Sequence, residues 1–164
     1  MRIAIISDTH DNFSGTEAAL KIIAREKVDT IIHCGDMTSG SEAELFHGFC
    51  VHHVLGNNDF DSLSIDIAIS GCKPGSSSDF VYNANIDGKW IAAVHGHRAN
   101  LFYTLLESDR YDYIFVGHEH RKSDRMMGNT RVINPGAIGG ARRGERGFCI
   151  LDLETGELTD YVTD

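Results

Sequence analysis

Apolar and polar positions alternate along this chain in short blocks, and each apolar block ends abruptly in a polar cluster. Residues 2–7 (RIAIIS) form a compact apolar run closed by Ser7 and Asp8, which predicts a buried strand. A helix follows, with Ser14 as its expected cap and Ala18, Ala19, Ile22 and Ile23 on its apolar face. Residues 28–33 (VDTIIH) predict a second strand, 41–49 a second helix and 52–55 (HHVL) a third strand. This alternation favours a parallel sheet with crossover helices.

The pattern changes beyond a third predicted helix over 61–70 and a turn-rich stretch over 71–78. Runs 80–86 and 89–94 flank Asp87-Gly88, a hairpin signal. A helix is expected over 100–107 and a buried strand over 113–116. Two more hairpins follow, 123–127 with 130–134 and 148–153 with 157–162. Both halves fit an α/β fold with α+β character, in which two facing mixed β-sheets are flanked by helices. The length of 164 residues suits a single domain spanning 1–164.

Composition narrows the function classes. Hydrophobic residues make up 41% and charged residues 24%, which excludes a disordered or collagen-like chain. No apolar run approaches the roughly 20 residues of a membrane span, and residues 1–7 lack the pattern of a secretory signal. A cytoplasmic location without membrane contact is expected. The net charge of -9 argues against coating duplex nucleic acid. Nine of the 15 basic residues nevertheless fall between Arg98 and Arg146, either as a solvated face or as a rim for a small anionic substrate. Arg98, Arg142 and Arg143 are candidates for phosphate contacts, with plain surface as the competing reading. Cys34, Cys50, Cys72 and Cys149 contain no Cys-x-x-Cys pair, so free thiols in a reducing compartment are expected rather than a thiolate zinc site.

The polar clusters carry the chemistry. Asp8-Thr9-His10, Gly35-Asp36, Gly56-Asn57-Asn58-Asp59, His95-Gly96-His97 and Gly117-His118-Glu119-His120 each follow a predicted strand. Ligands bind where such loops converge beyond strand ends. Imidazole with carboxylate suits manganese, iron, zinc, nickel or cobalt. Seven candidate donors exceed the needs of one tetrahedral ion, and a bridged pair of ions explains them economically. Ions of this kind lower the pKa of bound water towards 7, and such pairs serve many phosphate-ester enzymes. No Ser-His-Asp arrangement offers a protein nucleophile instead.

Taken together, these motifs resemble the calcineurin-like metallophosphoesterase superfamily. Asn134-Pro135-Gly136 and the chain length resemble its small bacterial and archaeal phosphodiesterase branch. The resemblance implies two divalent ions, manganese first among them. Asp8, His10 and His120 would bind one, Asn57, His95 and His118 the other, and Asp36 would bridge the two. It places Asn58, Asp59 and His97 beside the reacting groups and implies in-line attack of a metal-activated hydroxide on a phosphate ester, with a small phosphodiester as substrate.

Asn58 departs from the pattern. Many relatives carry a histidine there, thought to protonate or stabilise the leaving group, and asparagine has no titratable proton. General acid help is typically worth 10²–10⁴-fold, roughly, so a modest enzyme favouring good leaving groups is expected, and the usual partner role of Asp59 stays open. The second ion, whose ligands are neutral apart from Asp36, should bind more weakly. The competing reading is an interaction scaffold of the same fold with weak or no catalysis. A homodimer is one arrangement open to so small an enzyme.

Overall fold

A computed structural model of the chain describes residues 1–163. In chain order its elements are β1 (Arg2–Ile6), α1 (Phe13–Arg25), β2 (Thr30–His33), α2 (Gly40–Ala43), a 3₁₀ turn (Glu44–Phe46), β3 (Cys50–Val54), α3 (Ser62–Ser70), β4 (Ser77–Asp79), β5 (Tyr82–Ile86) and β6 (Lys89–Val94). The remaining elements are α4 (Ala99–Glu107), β7 (Tyr113–Val116), β8 (Ser123–Met127), β9 (Thr130–Asn134), β10 (Gly147–Asp152) and β11 (Leu158–Val162).

The strands form two mixed sheets. One has the order β11-β10-β1-β2-β3-β4 and the other β5-β6-β7-β9-β8. β1 to β4 run parallel, as do β6, β7 and β9; β10 pairs antiparallel with β1, and the hairpins β10–β11, β5–β6 and β8–β9 complete the edges. Side-chain alternation builds the layers. On β1, Ile3 and Ile5 face the other sheet and meet Ile91, Ala93, Phe115 and Ile133. Ala4 and Ile6 face the opposite way and pack beneath α1 against Ala19, Leu20 and Ile23. On the second sheet Ala92, Ile114 and Val132 turn outward beneath Phe102, Leu105 and Leu106 of α4. The order of layers is therefore helix, sheet, sheet, helix, the architecture predicted from the periodicities.

Three local expectations change. Asn12, not Ser14, caps α1: its side chain accepts from the Gly15 N–H at 3.3 Å, and the helix starts two residues earlier. Its buried face is Gly15, Thr16, Ala19, Leu20 and Ile23, with Ala18 and Ile22 at the margin. The predicted helix over 41–49 is only the four-residue α2 followed by the 3₁₀ turn. Phe46 is drawn fully under the sheet, edge-on to His33, and the chain must reverse in time for Cys50 to start β3. Lastly, the stretch over 71–78 runs into edge strand β4, whose Ser77 and Ser78 pair in register with His52 and His53.

Candidate metal centre

The parallel strands point their C-terminal ends the same way, and the predicted motifs leave from those ends. Backbone hydrogen bonds between loops lock them together. Asp8 N–H donates to the Gly35 carbonyl (2.9 Å), His10 N–H to Asp36 (3.0 Å) and Gly117 N–H to His95 (2.9 Å). Asp8, His10, Asp36, His118 and His120 all adopt positive φ, between 47° and 70°. Such backbone is uncommon outside glycine and clusters where side chains must be aimed for function.

The aim is mutual. Asp8, His10, Asp36 and His120 each present one donor atom within 4.8 Å of the others. His120 Nε2 lies 3.1 Å from Asp8 Oδ1 and 3.3 Å from His10 Nε2, and His10 Nε2 lies 3.5 Å from Asp36 Oδ2. On the other side of Asp36, His95 Nε2 stands 3.4 Å from the same Oδ2 and 3.1 Å from Asn57 Oδ1. The His118 ring closes this side edge-on to His95, with centroids 5.1 Å apart. Six of the seven predicted donors thus have a ligand atom within 3.5 Å of another's, with Asp36 between two groups, and the His118 ring lies beside them. The Asp8 group is largely buried, whereas Asn57 and His118 are exposed.

Tautomers show what the centre needs. His95 Nδ1 is 2.7 Å from the Cys34 carbonyl and His120 Nδ1 is 2.8 Å from the Ala141 carbonyl. A carbonyl only accepts, so each Nδ1 carries the proton and each Nε2 turns a lone pair inward. The atoms these two Nε2 atoms meet are acceptors as well: carboxylate oxygens of Asp8 and Asp36, the Asn57 amide oxygen and the His10 imidazole nitrogen. Asp8 Oδ1 is buried with no hydrogen-bond donor aligned on it. Acceptors converge like this around a cation, and imidazole, carboxylate and amide oxygen without thiolate suit a divalent ion of hard or borderline character.

Titration follows the same logic. Burial alone would raise the Asp8 carboxyl, but His10 and His120, the charge of His95 and the Ser7 hydroxyl hold it well below the usual range. Burial likewise opposes ionisation of Asp36, and His95 with both N–H donors of Asn58 overcomes it. Burial disfavours the His95 imidazolium, yet contact with Asp36 and the field of Asp8 raise its pKa. His120 is raised first by its contact with Asp8. Without a metal ion, a proton on Nε2 relieves the crowding of acceptors.

The remaining predicted residues have distinct surroundings. Asn58 commits its amide to Asp36 Oδ2 at 2.8 Å. Asp59 turns away from the centre and accepts from the backbone of Gly56 (2.7 Å), Thr38 (2.8 Å) and Asp36 (3.0 Å), with His53 Nε2 at 3.3 Å. His97 stands 5.3 Å from the His95 ring and 6.3 Å from His118, and its buried Nδ1 has no partner. Burial, then the charges of His95 and Arg98, lower its pKa. Arg98 lies over the Phe80 ring at 4.5 Å. Arg142 and Arg143 are exposed in the loop that also supplies Ala141.

Several supporting residues were not anticipated. Buried Glu42 on α2 accepts from Thr16 Oγ1 (2.6 Å), Thr9 Oγ1 (2.9 Å) and the Asp11 N–H (2.9 Å), holding the loop that carries Asp8 and His10. Its pKa is pushed up to about 7 by burial, against the pull of those donors. His33 links to Thr9 at 3.1 Å and lies beside His53, so a buried polar chain runs from Glu42 to Asp59 under the metal loops. Ser39-Gly40-Ser41-Glu42 has the form of a capping box, the one signal that could have marked Glu42. Gly140 was also unmarked. At φ +61° it sits against both metal-facing imidazoles, where a Cβ would come within 2.5 Å of His10 and 2.6 Å of His120.

Comparisons with known proteins agree with this geometry. A calcineurin-like phosphoesterase superfamily domain model matches residues 1–156. Phosphodiesterase MJ0936 of Methanocaldococcus jannaschii is 30% identical over 166 residues, covering 100% of both chains. The solved structure of a novel archaeal phosphodiesterase, 30% identical, superposes with a TM-score of 0.92 over 99% of each chain. Zinc-complexed Vps29 from Entamoeba histolytica shares the fold at 20% identity, with a TM-score of 0.69 over 98% of this chain and 91% of its own. The cation-seeking centre and these likenesses identify the chain as a member of the calcineurin-like phosphoesterase superfamily, a metal-dependent hydrolase of phosphoric esters.

Proposed function

We propose that the protein is a phosphodiesterase working with two divalent ions, manganese first among those its donors suit, on a small phosphodiester. The observation that carries this reading is the pair of inward Nε2 lone pairs, on His95 and His120, meeting carboxylate and amide oxygens on either side of Asp36. Asp8, His10 and His120 would hold one ion, Asn57, His95 and His118 the other, and Asp36 both. Divalent ions, when bound, supply Lewis acidity that lowers the pKa of water and offsets charge on a phosphate. Two such ions less the carboxylates of Asp8 and Asp36 leave roughly two positive charges, which suits an anionic ester.

The chain's own residues set geometry and protonation. The carbonyls of Cys34 and Ala141 fix two imidazole tautomers, and Asn58 fixes the rotation of Asp36. Asp59 anchors the three backbone N–H groups that shape the loops around Asp36 and Asn57. We assign His97, whose ring lies 5.3 Å from that of His95 and 6.3 Å from that of His118, to the surroundings of the bound phosphate. No titratable group occupies position 58, so the leaving group departs without a general acid there. Diesters with good leaving groups are therefore preferred over monoesters. An interaction scaffold would tolerate loss of donors, whereas all seven positions retain one. The four cysteines are free, with Cys34 and Cys149 buried, which supports a reducing, cytoplasmic setting.

The test is turnover of bis(4-nitrophenyl) phosphate and 4-nitrophenyl phosphate by chelator-treated protein resupplied with single metals, for wild type and Asp36→Ala. Diester cleavage should need added metal, exceed monoester cleavage and drop by about 100-fold or more in the variant. Undiminished activity in metal-stripped, folded Asp36→Ala would falsify the reading.

A further inference from the structure

Helix α4 covers only part of the outer face of its sheet. Phe102, Leu105 and Leu106 pack over Ala92, Ile114 and Val132, but edge strand β8 lies beyond them. Between α4 and that edge runs a cavity of about 170 Å³. Gly96, Gly117 and His118 form one end, so it opens directly onto the Asn57–His95–His118 side of the metal centre. Phe102 and Tyr103 form one wall, their rings edge-to-face at 5.3 Å, and Val116 lies opposite.

Polar groups mark the two ends differently. Glu119 stands at the metal end. Ser123 and Arg125 of β8 also line the cavity, in register with Asn134 and Val132 of β9. β8 runs antiparallel to β9, so Arg125 lies two residues further from the metal centre than Ser123, about 7 Å along the strand. Neighbouring Asp124 is taken by Arg131 at 2.7 and 2.8 Å. Arg125 has no such partner among the described residues, although the protein carries a net charge of -9.

We propose that this cavity is the subsite for one ester substituent of the substrate. It selects a planar, single-ring group bearing a further negative charge at its far end. The ring lies against Tyr103 and Phe102, and Arg125 takes the charge. Size agrees, since an apolar cavity of roughly 150 Å³ accepts benzene. Polarity agrees as well, since Glu119 near the metals repels a second anion and Arg125 about one ring length away attracts it. The inference rests on the phosphodiesterase reading and names the substrate class for that site.

Affinity for the manganese-loaded protein tests it, using methylphosphonate, phenylphosphonate and 4-carboxyphenylphosphonate. Calorimetric Kd values should tighten by about tenfold from methyl to phenyl and again from phenyl to carboxyphenyl. Tyr103→Ala should remove most of the first step and Arg125→Gln most of the second; both side chains are exposed, so the fold is retained. Equal affinities across the series, or steps that persist in both variants, overturn the subsite. Diester turnover with a flat series sinks the subsite alone. A stepped series without diester turnover keeps the pocket chemistry and sinks the enzymatic reading.

Discussion

Asn58 holds the Asp36 carboxylate in place, through its backbone N–H on Oδ1 and its side-chain amide on Oδ2, both at 2.8 Å. Two opposing consequences follow from changing it. Asn58→Ala removes one of these bonds and should lower diesterase activity about tenfold, the value of one charge-assisted hydrogen bond of about 1.5 kcal/mol. Asn58→His restores a titratable group and should raise the ratio of monoester to diester turnover, which steady-state kinetics on matched nitrophenyl esters would show. Glu42 supports the site in another way, through its own ionisation. It is fully buried, and its pKa is raised from 4.5 to about 7, so the folded state keeps a proton that the unfolded chain has already released. Stability therefore falls as pH rises from about 4.5 to about 7, by about 3 kcal/mol from this group, and levels off above. Denaturant unfolding at several pH values should show that slope in the wild type and its loss in Glu42→Gln. Equal slopes would mean that Glu42 is ionised throughout. The candidate donors were legible in the sequence because Asp, Asn and His gather at strand ends beside glycine. Glu42, His33 and His53 were not, because the Ser39–Glu42 capping-box spacing marks only a helix start and the partners of all three come from elements distant in sequence or buried beside them.

At the level of elements, the strands that carry the motifs could be read from apolar runs because both faces of those strands are buried. The failures lie where local and long-range demands differ. The run over 41–49 looked helical, but Phe46 had to pass under the sheet and Cys50 had to begin a strand, so α2 stops after four residues. β4 could not be read because Ser77, Ser78 and Asp79 have no strand preference of their own. It is held as an edge strand by β3, and Ser78 also meets His53 Nδ1 at 2.9 Å. The loops are equally constrained. At Gly56 a Cβ would lie 2.1 Å from Asp36 Oδ1 and 2.5 Å from the Asp36 backbone nitrogen. Gly56→Ala must displace either the Asp36 carboxylate or the β3 loop that bears Asn57. We expect a fall in activity of about 100-fold or more, out of proportion to a stability loss of about 1–3 kcal/mol. Parallel thermal melts and kinetics would separate the two; a variant with full activity would mean that the loop yields freely.

Across the whole molecule the two sides of the centre differ in charge and burial, and on the proposed two-ion reading that difference would order metal binding. The side formed by Asp8, His10 and His120 has a buried carboxylate of its own, besides the shared Asp36. The side formed by Asn57, His95 and His118 has only neutral ligands of its own, two of them exposed. An additional negative charge at ligand distance contributes several kcal/mol even at an effective dielectric near 20, roughly. The first ion also offsets the charge of Asp36 for the second. Manganese titration followed by calorimetry should therefore resolve two steps with affinities at least about tenfold apart. Asp8→Ala should abolish the tighter step, and Asn57→Ala the weaker. Protons sharpen the test. His95 and His120 have raised pKa values because Asp36 and Asp8 favour a positive charge at their Nε2 atoms, and the metal ion takes that place. Binding must then release protons, increasingly so as pH falls towards and below the ordinary imidazole value, and affinity must weaken in the same direction. The heat of binding should vary with the ionisation enthalpy of the buffer, with a larger proton release at pH 6 than at pH 8. Two indistinguishable steps, or a heat independent of the buffer at both pH values, would show that the two sides of the cage are not filled in the order their charges dictate.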